Sequence, residues 1–206
     1  MGTLLKIHPQ TPQPRFIEEA VEILRHDGVI IYPTDSVYAL GCSMTSKKAL
    51  ERLARFKHLD LSRARFSFIC KDLQDISQYT LTLSTPVFKI LKKNTPGPFT
   101  FILPASKKIP RMFDNSRKTV GLRVPDSRIL YDIVDALGNP LVTTSVIDED
   151  EIIEYSTDPE LIWERYKNQV DLVIDGGYGN NIPTAVVDCT QTEIQIIREG
   201  SVDLIY

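Results

Sequence analysis

Short polar clusters recur wherever an apolar run of this chain stops, and their residue types suit a small polar or anionic ligand. The first is "PTDSVY" (33–38), which puts Thr34, Asp35 and Ser36 directly behind the apolar "VIIY". A turn needs one or two such side chains; recognition of a ligand can use all of them. "RFKHL" (55–59) ends a helix-period segment with cations and supplies Lys57. "KTVGLRVP" offers Lys118, Thr119 and Arg123, and the even spacing of the last two turns both to one face of a strand. "VTTS" ends in Ser145, "PTAVVD" opens with Thr184, and "IIREG" supplies Arg198. Taken singly, each has an ordinary role: a strand arginine commonly pairs with a nearby carboxylate, and hydroxyls shape turns. Taken together, they gather at strand ends, where α/β sheets place ligands.

Other kinds of site are weaker. "GGYGN" (176–180) lacks the GxGxxG spacing and is not followed by a helical pattern, so it reads as a tight turn. The chain has no GxxxxGK[ST] and no GxSxG, and His8, His26 and His58 are scattered without metal-ligand spacing. The acidic "DEDEIIE" reads as a solvated loop.

The elements that must position these clusters alternate along the chain, the pattern of an α/β layered domain. A helix is expected over 14–27 with Phe16, Ala20, Val21 and Leu24 on one face, capped by Gly28. "VIIY" is a buried strand stopped by Pro33, and Ser46 caps a helix reaching Phe56. "RFSFIC" reads as a strand and "TPVFKILKKN" as a short helix. "FTFIL" and "TVGLRV" are strands on either side of an irregular segment. Asp126 is expected to open a helix through Leu137, followed by the strand "PLVTTS" and an acidic loop over 148–156. In "DPELIWERYKNQ", Asp158 is the expected N-cap and Pro159 the first helical residue. "DLVID", "TAVVDC" and "IQIIRE" close the chain as strands with little room for helices between them, which predicts a mixed sheet.

With 206 residues, 42% of them hydrophobic and 25% charged, the chain can bury a full core, and one domain is expected over 1–206. The net charge of −3 excludes a global basic field that would point to nucleic acid. Apolar runs such as "VII" and "FIL" are far too short to cross a bilayer, and "MGTLLKIHPQTPQ" lacks a signal-peptide core. A cytoplasmic protein with no membrane partner is the simplest reading. Cys42, Cys70 and Cys189 are widely spaced and odd in number, as expected of free thiols at strand ends.

The string "YPTDSVYALGC" resembles the "PTETVYGLG" signature of the YrdC-like family, the threonylcarbamoyl-AMP synthases and their YciO-type relatives. The resemblance continues in order through Lys57, "TPGPFTFIL", "TVGLRVP", "VTTS", "TAVVD" and "IIREG", nearly the whole chain. It implies a twisted mixed β-sheet flanked by helices, the YrdC/RibB-like (DHBP synthase-like) fold, around an open electropositive cavity. It also implies a nucleotidyltransferase that joins L-threonine, bicarbonate and ATP into threonylcarbamoyl-AMP and pyrophosphate. That intermediate serves N6-threonylcarbamoyladenosine modification of tRNA. Mg²⁺ would accompany ATP as substrate, with no tightly bound cofactor. By resemblance, Thr34, Ser36, Arg123 and Thr184 contact threonine, with Arg123 on its carboxylate. Lys57 stands near the phosphates and the carbonate-derived group, and Thr119, Ser145 and Arg198 line the nucleotide. Lys57 and Arg123 are thus the residues expected to carry catalysis.

This sequence departs from the synthases at two places. Their Lys-x-Arg pair is here Lys57-His58-Leu59, and their Ser-x-Asn is Ser145-Val146-Ile147. Losing a charge-assisted phosphate contact costs about 1.5–3 kcal/mol, or roughly ten- to a hundred-fold in affinity. The combination is that of the YciO-type branch, with weak or altered activity. A different class of function is a double-stranded-RNA or nucleotide-binding module without efficient turnover. Its candidate contacts are Lys107, Lys108, Arg111, Arg117 and Lys118 in "KKIPRMFDNSRK", with Arg63 and Arg65 in another loop.

Overall fold

The computed structural model describes residues 1–59, 61, 64–110, 118–146 and 157–206. Among these the strands are β1 (Thr3–Lys6), β2 (Val29–Tyr32), β3 (Ala39–Ser43), β4 (Ser67–Ile69) and β5 (Phe99–Pro104). They continue with β6 (Thr119–Arg123), β7 (Leu141–Ser145), β8 (Leu172–Asp175), β9 (Ala185–Asp188) and β10 (Gln195–Arg198). The helices are α1 (Pro14–Arg25), α2 (Lys47–Phe56), α3 (Leu73–Tyr79), α4 (Thr85–Asn94), α5 (Arg128–Leu137) and α6 (Pro159–Tyr166). All ten described strands join one sheet in the order β1-β8-β2-β3-β7-β4-β6-β5-β9-β10.

The sheet is mixed, as expected. β8 runs parallel to β1 and β2, β4 to β6, and β5 to β9. The β2–β3, β3–β7, β4–β7, β5–β6 and β9–β10 pairs are antiparallel. Both faces are covered, which explains why the central strands read as unbroken apolar runs. In β2, Ile30 and Tyr32 pack with α1 and α5 residues such as Leu24 and Ile133. Val29 and Ile31 point the other way, into a core shared with Leu50 and Leu53 of α2 and Leu91 of α4.

Local signals explain most boundaries. Ser46 Oγ accepts from the Ala49 N–H at 3.0 Å and so starts α2. Asp158 Oδ1 accepts from Glu160 N at 2.9 Å at the head of α6. Two expectations need correction. Helix α1 ends at Arg25, and the left-handed residue beyond it is Asp27 (φ 62°), not Gly28. Gly28 instead donates its N–H to Ile23 O at 2.9 Å, and a Cβ there would lie 2.4 Å from that same oxygen. Glycine is therefore required for close approach, while the short polar Asp27 takes the turn. Helix α5 starts at Arg128 with Ser127 as its cap, its hydroxyl accepting from Leu130 N at 3.4 Å, while the Asp126 N–H goes to Asp35. β1, β3 and α3 are additions to the sequence reading. The acidic segment over 148–156, together with Ile147, lies outside the described residues.

Candidate functional site

A cavity of about 750 Å³ opens among β3–β7, β9 and β10, and it gathers most of the strand-end clusters. Ser36, Thr119, Arg123, Ser145, Thr184 and Arg198 all line it. Its described lining includes the cations Arg65, Lys118, Arg123 and Arg198 and no carboxylate. A wall of that composition attracts anions, and low-dielectric surroundings strengthen the attraction.

Arg123 ends β6 just before Val124 and Pro125 and is 6% exposed. Its Nη2 donates to Thr34 Oγ1 at 3.0 Å and to Ser36 Oγ at 2.9 Å, and it forms an ion pair with Asp35. The second carboxylate oxygen of Asp35 accepts the Asp126 N–H at 2.8 Å. The loop between β2 and β3 is thereby tied to the turn between β6 and α5. Within that loop, Thr34 Oγ1 accepts from Ser36 N at 3.0 Å and donates to Val37 O at 2.7 Å. The three polar residues of the "PTDS" stretch thus converge on one buried guanidinium. Its Nε is buried with no acceptor among the described residues. A buried N–H left that way is costly, and an incoming oxygen can satisfy it.

Across the cavity, Thr184 is buried and its hydroxyl lies 3.0 Å from that of Thr100 on β5. Arg198 on β10 clamps the same residue, Nε to Thr184 O at 3.0 Å and Nη2 to Thr184 Oγ1 at 3.3 Å. Beneath the floor, Tyr32 donates its hydroxyl to Thr143 Oγ1 at 2.8 Å, and burial pushes its phenol well above the usual range. On the neighbouring strands, a Cβ on Gly121 would come within 2.8 Å of Ser67 Oγ. The missing side chain leaves Ser67 facing open space.

The remaining expected residues stand nearby. Lys57 caps α2 and its Nζ donates to Ser145 O at 3.4 Å, without lining the cavity. Thr34 lines a neighbouring cavity of about 850 Å³ that also includes Asp126 and Ser127. Lys107 and Lys108 are exposed on the turn after β5, whereas Arg65 and Lys118 face the cavity. The basic stretch is therefore not one open patch along its described part. Arg63, Arg111 and Arg117 lie outside the described residues.

Asp35, Thr100, Ser67 and Thr143 are not among the site residues expected from the sequence, although Asp35 lies in the first polar cluster. A signal existed for Thr100 and Ser67, each a lone hydroxyl inside an apolar strand. Asp35 had only its position between two candidate hydroxyls.

The thiols are free and buried, and Cys42 lies within β3, not at its end. Burial pushes Cys42 up to about 12 and Cys189 up to about 11, so neither is a ready nucleophile. Among the described residues no helix is long and apolar enough to cross a membrane.

Comparison with known proteins agrees with this architecture. The chain is 43% identical to Escherichia coli YciO over 206 residues, covering 99% of this chain and 98% of that one. The crystal structure of that protein superposes with a TM-score of 0.90, covering 98% of both chains. A threonylcarbamoyl-AMP synthase of Coxiella burnetii is 28% identical over 179 residues, 86% of this chain and 95% of that one. P. abyssi Sua5, solved in complex with L-threonine, shares the fold at a TM-score of 0.85 and 20% identity, over 97% of this chain and 58% of that one. A family model for Sua5, YciO and YrdC proteins, described as "Telomere recombination", matches residues 22–200. With its ten-stranded mixed sheet and a match spanning most of its length, the chain belongs to the Sua5/YciO/YrdC family.

Proposed function

We propose that the protein is a YciO-type threonylcarbamoyl-AMP synthase that binds MgATP, L-threonine and bicarbonate in the cavity lined by Ser36, Arg123, Thr184 and Arg198. The observation that carries this reading is the cavity wall itself: among the described residues it holds cations without a carboxylate, hydroxyls at strand ends, and a buried arginine whose Nε has no acceptor. The threonine amine adds to bicarbonate with loss of water, giving a carbamate. A carbamate oxygen then attacks the α-phosphorus of ATP and pyrophosphate leaves. No protein nucleophile is required, so catalysis is positioning plus neutralisation of phosphate charge. Mg²⁺ enters with ATP as part of that substrate.

In this scheme Arg123 faces the threonine carboxylate, with Thr34, Ser36 and Thr184 orienting the ligand. Lys57, Thr119, Ser145 and Arg198 serve the nucleotide side. The named activity of the Coxiella burnetii relative and the threonine in P. abyssi Sua5 support the substrate class. Two features of this chain slow the reaction. Asp35 already holds one edge of the Arg123 guanidinium, and the exposed Leu59 supplies no charge beside Lys57. The product belongs to tRNA N6-threonylcarbamoyladenosine modification.

The test is pyrophosphate release by purified protein. It should require ATP, threonine and bicarbonate together and should vanish in Arg123→Ala. Absence of release, with no binding of ATP or AMP by calorimetry, would sink the reading.

A further inference from the structure

The cations of the cavity are not equivalent, and their placement follows from strand register. Ser67 pairs with Gly121 of β6 and with Thr143 of β7. Extending that register two positions brings Arg65 level with Thr119 and Ser145. Lys118 directly precedes Thr119, and Ser145 O also accepts from Lys57 Nζ. Arg123 pairs with Ile69, four positions further on, which is about 13 Å along the strand at ~3.3 Å per residue. One end of the cavity therefore holds Arg65 and Lys118, and the other holds the Arg123 cluster.

The two ends differ in what already satisfies them. Arg123 is buried and has Asp35 as counter-ion. The side chains of Arg65 and Lys118 are exposed, line the cavity, and make no hydrogen bond or ion pair among the described residues. Two unpaired cations facing one space raise the potential there, and a compact anion carrying several charges relieves their repulsion best. A monocarboxylate would neutralise one of them; a polyphosphate can bridge both. Arginine adds a planar fork that matches phosphate oxygens two at a time.

We propose that Arg65 and Lys118 form a polyphosphate-binding end of this cavity. The inference rests on the nucleotide reading above only for the identity of the polyphosphate as that of ATP. Because Arg65 is exposed and has no partner among the described residues, its replacement removes charge without leaving a described buried group unpaired.

Calorimetry with MgATP, AMP and inorganic pyrophosphate on the full chain tests it, using Arg65→Ala, Arg65→Lys and Lys118→Ala. Arg65→Ala should weaken ATP and pyrophosphate about ten- to a hundred-fold while AMP changes only a few-fold. Lys118→Ala should follow the same pattern, and Arg65→Lys should recover part of the loss because the charge returns without the fork. Wild-type protein that binds ATP, with no change in Arg65→Ala, overturns the proposal and leaves the nucleotide reading standing. Equal weakening of AMP and ATP also overturns it. Pyrophosphate binding that depends on Arg65, in a protein that does not take ATP, keeps the proposal and removes the nucleotide reading. A wild-type protein that binds neither removes both.

Discussion

Arg123 is 6% exposed and meets Asp35, Thr34 and Ser36, whereas Arg65 stands exposed at the far end of the same cavity with no side-chain partner among the described residues. The difference follows from the cost of desolvating charge. A guanidinium taken out of water must carry a counter-ion and hydrogen-bond acceptors with it, so its position is fixed before any ligand arrives. A guanidinium left in water needs no partner, and it can shift to meet a ligand at the expense of side-chain entropy. One end of the cavity is preorganised and the other adapts. Mutations should accordingly affect stability at the first and ligand affinity at the second.

Removing Asp35 is the strongest way to break that contrast. Asp35→Ala leaves the Arg123 charge buried without a counter-ion and should cost about 3–5 kcal/mol in chemical denaturation. The double variant Asp35→Ala with Arg123→Met should recover much of that loss, since the orphaned charge goes too. A loss for Asp35→Ala below about 1 kcal/mol would make this an ordinary surface pair.

Alkaline titration sharpens the contrast with a smaller effect. Burial holds the Tyr32 phenol neutral in the folded protein well beyond its ordinary value near 10. Below that pH both folded and unfolded states keep the proton and the group contributes no slope. Above it, the unfolded chain ionises first, so stability falls as pH rises, by up to about 1.4 kcal/mol per pH unit for this group. Tyr32→Phe should lessen that slope in denaturation measured between pH 9 and about 11, and it should leave the Arg65 end unaffected.

The smallest effect is expected outside the cavity. Lys107→Glu with Lys108→Glu should alter stability by no more than about 0.5 kcal/mol, because both side chains are exposed. The same variant asks whether the described lysines hold double-stranded RNA. Retention of RNA that falls with salt and disappears in the variant supports an RNA contact; retention indifferent to salt and to the variant counts against it.

Much of the fold was legible because its signals are local. "VIIY" is β2 without adjustment, Ser46 caps α2, and Asp158 with Pro159 opens α6 as expected. β3 escaped notice because "ALGCS" has no period-2 alternation, being buried along its whole length. α3 is short, seven residues with only Ile76 fully buried, so it shows little amphipathic period. The cap of α1 was misplaced by one residue because Asp27 takes the left-handed turn that glycine usually occupies. At the candidate site, the hydroxyls and Arg123 were legible from their recurrence at strand ends. Asp35 was not, since its partner lies 88 residues away.

By itself the sequence determined which segments become amphipathic helices and buried strands, because those depend on neighbours within a few positions. It also determined the inventory of the cavity: hydroxyls, arginines and lysines at strand ends. Only the tertiary structure decided which of those cations is neutralised and which is not. Ion pairing depends on distance and burial across strands far apart in the chain, and "RARFS" and "GLRVP" look alike as strings. In the folded sheet one arginine closes on Asp35 in a dry corner, and the other faces the cavity unpaired among the described residues.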